Sequence, residues 1–243
     1  MRTMSIKAIF FDFGGTLVSM VPSKEELFIK AASSAGLKLD IEEVKIAYRI
    51  VDFHIKYSSI KIKNAKERSY FYHDYNKHLC EALGISNYFI KLNPMLIQNF
   101  KRQREWTLIK DVKVVLKNLL KKDILLSIVA NWDQQLSFQV KNLGIKKYFA
   151  SVVASQEVGF EKPDTKIFEY ALNTNSLCTE KDCVLYIGNE YETDVIGARM
   201  AGLVPVLIDS NKYYPYADCL RFDSIIHWYR SLVISDDEIR IKI

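Results

Sequence analysis

Apolar residues along this chain gather in short runs that end at polar or glycine-containing turns. Five of these runs read as buried parallel strands: 7–11 "KAIFF", 124–129 "ILLSIV", 151–154 "SVVA", 183–187 "CVLYI" and 204–208 "VPVLI". Between most of them the apolar spacing lengthens to a helical period, as in "DVKVVLKNLLKK" (111–122) and "KIFEYALNTN" (166–175). Strands alternating with helices predict an α/β fold, a doubly wound and mainly parallel sheet.

Residues 19–105 break that alternation and hold four helix-period stretches with no strand pattern. "SKEELFIKAASSAG" has Ser23 placed as an N-cap and Gly36 as a stop. "IEEVKIAYRIVDFHIKY" follows, then "KERSYFYHDYNKHLCEALG", which ends at Gly84. In "NPMLIQNFKRQREW", Pro94 stands where a helix would begin. The pattern predicts a smaller helical domain at 19–105, inserted into an α/β core made of 1–18 and 106–243. The final stretch, "ISDDEIRIKI", either frays or pairs at a sheet edge.

Composition narrows the class. With 49% hydrophobic and 26% charged residues in 243, the chain has the make-up of an ordinary folded protein. No apolar run reaches the ~20 residues needed to cross a bilayer. The opening "MRTMSIKAIFFDF" meets an acid too early for a secretory signal, so a cytoplasmic location is expected. Cys80, Cys178, Cys183 and Cys219 are scattered, which suits reduced thiols, with a Cys178–Cys183 pair as the alternative. No histidine accompanies them at zinc-ligand spacing.

The net charge of +5 is unevenly placed. Residues 19–105 carry 15 Lys and Arg against 10 Asp and Glu, while the rest of the chain is balanced at 19 each. That excess favours a small anionic ligand, with a solvated basic face as the plainer reading. No arginine-rich stripe or known motif points to nucleic acid. Oligomeric state is not legible.

Candidate chemistry lies where the expected strands stop. Ligands of open α/β sheets bind beyond the carboxyl ends of the strands. There the first strand yields Asp12, the second Asn131, and the fourth Asn189 followed by Asp194; Lys162 precedes the helix leading to the fourth. Two acids, a lysine and two amides converging would make a phosphate and metal site. Gly14 and Gly15 allow a tight turn whose N–H groups could cradle an anionic substrate while Asp12 attacks. A nearby lysine would hold the carboxylate ionised.

"FFDFGGTLV", "VAN" (129–131), "EKPDTKIFEYAL" (161–172) and "YIGNEYETDVIGARMAGL" (186–203) together resemble the four ordered motifs of the haloacid dehalogenase-like hydrolase superfamily, across nearly the whole chain. The insert after the first motif resembles that superfamily's helical cap. The resemblance implies Asp12 as nucleophile, Thr16 as its supporting residue and Lys162 as the charge-stabilising lysine. It further implies a magnesium site at Asp12, Asn189 and Asp194, with Gly14, Gly15 and Asn131 facing the substrate. The implied activity is a magnesium-dependent phosphatase acting on a small phosphorylated metabolite.

Three positions depart from the pattern. Family phosphatases carry a second aspartate, the general acid and base, where this chain has Gly14. Their second motif ends in Ser or Thr, here Ala130, and the first acid of the fourth motif is here Asn189. Losing a positioned general acid typically costs about 10²–10⁴ in rate. An amide in place of a carboxylate weakens a magnesium site, which Glu190 would restore only by rotation of its loop. Two alternatives follow: a metal-independent 2-haloacid dehalogenase, with Arg49 as a candidate substrate clamp, and an impaired member that binds a ligand or protein. His73 is a candidate substitute proton donor. Trp132 reads equally as a pocket wall or as packing, and the "SYFYHDY" aromatics (69–75) as core.

Overall fold

Ala8–Phe11, with no exposed surface on any of its four residues, forms the middle of a six-stranded parallel sheet. The computed structural model describes residues 3–56, 65–102, 105–178, 180–235 and 239–242. Tyr57, Gln103 and Arg104 of two helix-period stretches, and residues 236–238 and 243 of the final stretch, lie outside the described residues. The strands are β1 (Ala8–Phe11), β2 (Leu125–Ala130), β3 (Ser151–Ala154), β4 (Val184–Gly188), β5 (Val204–Ile208) and β6 (Leu220–Phe222). Their order is β3-β2-β1-β4-β5-β6, every pair parallel. The chain thus winds outward from β1 on one side, returns, and winds outward on the other, leaving its switch point beside β1. The five expected strands are present. The sixth, "LRF", is too short and too polar to announce itself in a hydrophobicity pattern.

Alternation along β1 sends neighbouring rings to opposite faces. Phe10 joins Val129, Ile167, Phe168, Ala171, Leu172, Tyr186 and Ala198 in one buried cluster under the helices Thr165–Thr174 and Ile196–Met200. Phe11 meets Phe149 and Trp228 edge-on, with centroids 6.3 and 6.2 Å apart. Helices therefore cover both faces, which is why these strands are apolar at nearly every position. The C-terminal stretch pairs rather than frays: Ile239–Lys242 lies antiparallel between Thr3–Ser5 and Val233–Ile234.

The chain divides into two compact units, residues 1–19 with 107–243 and residues 20–106. Val18–Val21 and Glu105–Leu108, strands that the sequence pattern did not signal, pair as a two-stranded ribbon where the chain leaves and re-enters the sheet-bearing unit. The second unit consists of helices Lys24–Ser34, Ile41–Lys56, Ala65–Ala82 and Phe89–Arg102. Ser23 caps the first of these reciprocally with Glu26, its side chain accepting from the Glu26 N–H while the Glu26 carboxylate accepts from the Ser23 N–H. Pro94 does not begin the last helix but sits inside it, because a 3₁₀ turn at Ser86–Tyr88 already starts the coil at Phe89. Phe28, Val44, Tyr48, Leu79, Leu92 and Leu96 are the main buried groups of this unit. Of the aromatic cluster, Tyr75 packs on this core and donates its hydroxyl to Asp52 at 2.5 Å, whereas Tyr70 and Tyr72 are exposed.

All four cysteines are free. Among the described residues no helix is long and apolar enough to cross a membrane.

Phe168 joins the helical layer to the sheet, its ring edge-on to Tyr186 at 5.0 Å and no part of it exposed. Phe168→Ala is expected to lower unfolding free energy by about 3–5 kcal/mol. Urea denaturation checks this; a loss below about 1 kcal/mol would mean that the layer is not packed as described.

Candidate active site

Parallel strands deliver their last residues to one edge of the sheet, and the polar groups of this chain arrive there together. Asp12 directly follows β1, Asn131 follows β2 and Asn189 follows β4. The Asp12 N–H still donates to the Ile187 carbonyl at 2.8 Å, so its backbone is held as part of the sheet. Its side chain leaves the ladder beside the switch point and is 11% exposed.

Lys162 occupies the centre. Its ammonium donates to Asp12 Oδ1 at 2.7 Å, to Asp194 Oδ1 at 2.6 Å and to the Tyr186 hydroxyl at 2.8 Å. An ammonium has three N–H donors, and these three partners use them all. Its side chain is 3% exposed and that of Asp194 2%. The Tyr186 hydroxyl donates in turn to the Val129 carbonyl at 2.8 Å.

Asp194 is fixed from the other side by the loop that carries it. Its Oδ2 accepts the backbone N–H groups of Asn189 and Glu190 at 3.0 and 2.9 Å. Gly188 makes this possible: a Cβ there would lie 2.3 Å from Asp194 Cγ. Asn131 clamps the backbone of residue 162, its Oδ1 accepting from the Lys162 N–H at 2.7 Å and its Nδ2 donating to the Lys162 carbonyl at 3.0 Å. Expected as a substrate contact, Asn131 has both ends of its amide engaged in aiming the lysine. Thr16 donates its hydroxyl to Asn189 Oδ1 at 3.1 Å, tying the first motif to the fourth.

The two glycines divide in role. Gly15 has φ +83°, and a Cβ on it would stand 2.6 Å from the Asn189 amide nitrogen. Its N–H donates to the Val18 carbonyl at 2.7 Å, so it is bound within the turn rather than offered to a ligand. Gly14 lies against Trp132, where a Cβ would come within 3.0 Å of the indole. Trp132 also meets Phe13 edge-on at 5.1 Å.

Electrostatically the cluster sets one buried positive charge against two negative ones. Burial pushes the Asp12 carboxyl up to about 6; attraction to Lys162 opposes the rise and the Asp194 charge adds to it. For Lys162 burial disfavours the ammonium, but the attraction of Asp12 and Asp194 outweighs that and holds its pKa above the ordinary range. Burial likewise drives the Tyr186 phenol well above its usual value, keeping it a neutral donor.

Asp12, Asn189 and Asp194, expected to hold magnesium, lie at one sheet edge with the Lys162 ammonium between the two acids. Both Asp194 oxygens and the Asn189 oxygen already accept hydrogen bonds, and the space between the two acids belongs to an ammonium. Among the described residues no three His, Cys, Asp or Glu side chains converge as a metal-binding group. A divalent ion preferring several carboxylate or water oxygens does not fit this arrangement.

Other candidates engage partners in the helical unit. His73 packs edge-on to Phe89 at 5.0 Å, and Arg49 lies exposed on the helix Ile41–Lys56. Glu190 has not rotated toward Asp194; its carboxylate accepts the Tyr214 hydroxyl at 3.3 Å. Ala130 ends β2, fully buried, and offers no hydroxyl. Two positions of the cluster were not singled out from the sequence. Tyr186 read as one more apolar strand residue, although a buried phenol needs a partner, which was its signal. Gly188 stood inside the quoted fourth motif, but nothing in the motif said that its missing side chain makes room for Asp194.

A doubly wound α/β unit with a carboxylate–ammonium–carboxylate cluster at its switch point defines a class of hydrolase-like proteins. Residues 9–208 match the haloacid dehalogenase-like hydrolase family, and the chain belongs to it. Glyceraldehyde 3-phosphate phosphatase of Methanothermobacter thermautotrophicus is 31% identical over 218 residues, covering 84% of this chain and 86% of that protein. Mouse haloacid dehalogenase-like hydrolase domain-containing protein 3 is 29% identical over 113 residues, which is 46% of this chain and 44% of that relative's length. The HAD-hydrolase YfnB of Bacillus subtilis, solved bound to magnesium, superposes with a TM-score of 0.66 at 17% identity, covering 93% of this chain and 98% of that one, and shares the fold.

Two outcomes follow from this geometry. Gly188→Ala is expected to displace Asp194 and destabilise the protein by about 1–3 kcal/mol, read by urea denaturation; unchanged stability would contradict the close approach. If Asp12 is the attacking group it must be ionised, and kcat/KM is then expected to fall about tenfold per unit below pH about 6 and to level off above it. The sign for folding runs the other way. A carboxyl raised on folding contributes stability that is complete below about 3.9 and lost as pH rises through about 6. A pH–rate profile level down to about pH 4.5 would contradict the raised value.

Proposed function

We propose that this chain hydrolyses a small phosphorylated substrate through a covalent intermediate on Asp12. The observation that carries this reading is the buried Lys162 ammonium 2.7 Å from Asp12 Oδ1, at the carboxyl end of the central strand. The 31% identity to a glyceraldehyde 3-phosphate phosphatase over most of both chains supports a small phosphorylated molecule as substrate. The positive excess of residues 19–105 suits an anionic ligand.

In the first step an Asp12 carboxylate oxygen attacks phosphorus and the bond to the leaving group breaks, its electron pair going with the leaving group. In the second step water attacks the phosphorus of the aspartyl phosphate, releasing inorganic phosphate and restoring the carboxylate. Lys162 contributes the positive charge beside the transferring group, fixed in advance by Asp194, Tyr186 and Asn131. No step is drawn through magnesium, because the donors present do not suit it.

A second reading, hydrolysis of a 2-haloacid on the same Asp12, is favoured by the indole against Gly14: a halide departs without the proton that an acid at that position would supply.

Phosphate release from p-nitrophenyl phosphate by the purified chain is expected, with Asp12→Asn lowering it about 10³-fold or more. Release undiminished in Asp12→Asn would overturn the Asp12 mechanism. Chloride release from 2-chloropropionate, with no phosphate release from any phosphorylated substrate, would replace the first reading by the second.

A further inference from the structure

The groups hydrogen-bonded around Asp12 are all committed. The three N–H donors of Lys162 go to Asp12, Asp194 and Tyr186. The Tyr186 hydroxyl donates to the Val129 carbonyl, the Thr16 hydroxyl to Asn189 and the Asn131 amide to the Lys162 carbonyl. Asp194 has both oxygens engaged as acceptors. None of these groups is placed to hand a proton to a departing alkoxide.

The position from which a side chain two residues beyond Asp12 would do so is crowded by an aromatic ring. A Cβ built on Gly14 meets the Trp132 indole edge at 3.0, 3.8 and 4.0 Å. The ring also meets the buried Phe13, edge-on at 5.1 Å. Its backbone N–H donates to Ser155 Oγ at 3.2 Å, and its carbonyl accepts the Ser155 hydroxyl at 3.3 Å and the Gln156 N–H at 3.1 Å. Ser155 itself is buried.

We infer that Trp132 is a specificity-determining residue that restricts this site to phosphoryl donors whose leaving group departs as a weakly basic anion, the carboxylate of an acyl phosphate being the favoured class. This rests on the phosphatase reading and narrows it. Asp12 forms its bond to phosphorus as the acyl P–O bond breaks, and the carboxylate leaves with the electron pair and takes no proton. The water of the second step supplies the hydroxyl and proton that end on phosphate. An alkyl phosphate would have to expel an alkoxide, and an unassisted departure forfeits the about 10²–10⁴ that a positioned acid contributes.

The test is a leaving-group series: acetyl phosphate, aryl phosphates from dinitrophenyl to phenyl, and glycerol phosphate, with kcat/KM measured for each. The expected result is a loss of about tenfold per unit of leaving-group pKa across the aryl series, acetyl phosphate fast and glycerol phosphate barely detectable. The double variant Gly14→Asp with Trp132→Ala, which clears the ring and supplies an acid, is expected to flatten the slope and raise glycerol phosphate turnover about 10²-fold relative to acetyl phosphate. Trp132→Phe, keeping a ring, is expected to keep the steep slope. A flat wild-type series, or glycerol phosphate turned over as fast as acetyl phosphate, overturns this inference and leaves the phosphatase reading standing. A folded double variant with an unchanged slope overturns the role of Trp132. If the double variant does not fold, the wild-type slope decides alone, and turnover of none of the compounds overturns both readings.

Discussion

The Lys162 ammonium is removed from water with two carboxylates and a phenol as its whole environment, and the sheet-bearing unit is arranged around that fact. An unpaired buried ammonium would be driven to lose its proton, and two unpaired buried carboxylates would repel each other. Each group is tolerable only because the others are there. Removing one partner of such a cluster typically costs about 3–5 kcal/mol, since the charge left behind has no solvent to turn to. The elements that bring these groups together are therefore tied to one another: β1 carries Asp12, β4 carries Tyr186, the π-helical turn Tyr191–Val195 carries Asp194, and the segment before helix Thr165–Thr174 carries Lys162.

Much of the remaining local structure serves this cluster. Asn131 holds the backbone of residue 162, Thr16 joins the turn after β1 to the loop after β4, and Gly188 opens room for Asp194. The same commitments decide what the site is poor at. Donors and acceptors satisfied by one another are pre-aimed, as the proposed displacement on Asp12 requires. They are also occupied, which leaves neither a ready set of oxygens for a divalent ion nor a spare proton for a strongly basic leaving group.

The strands of the sheet were legible because burial on both faces leaves an apolar run whose length alone identifies it, and the charged residues because acids at the ends of such runs have no packing reason to be there. β6 was not, since "LRF" has neither length nor pattern, and Pro94 misled because a preceding 3₁₀ turn had already set the helix. Gly14 was legible as a missing acid. What lies against it was not, because the Trp132 backbone is held by Ser155, a residue 23 positions away on the chain beyond a different strand. Asn131 was found at its strand end, but its partner is a backbone group of Lys162, and side-chain identity carries no information about which backbone it meets.

The central claim is that an ammonium, and not a metal ion, holds Asp12 and Asp194 together. The most direct measurement is a high-resolution crystal structure grown in excess magnesium chloride. Lys162 Nζ is expected at hydrogen-bonding distance from both carboxylates, with no cation between them. A magnesium ion coordinated by Asp12 and Asp194, with the lysine turned away, would contradict it.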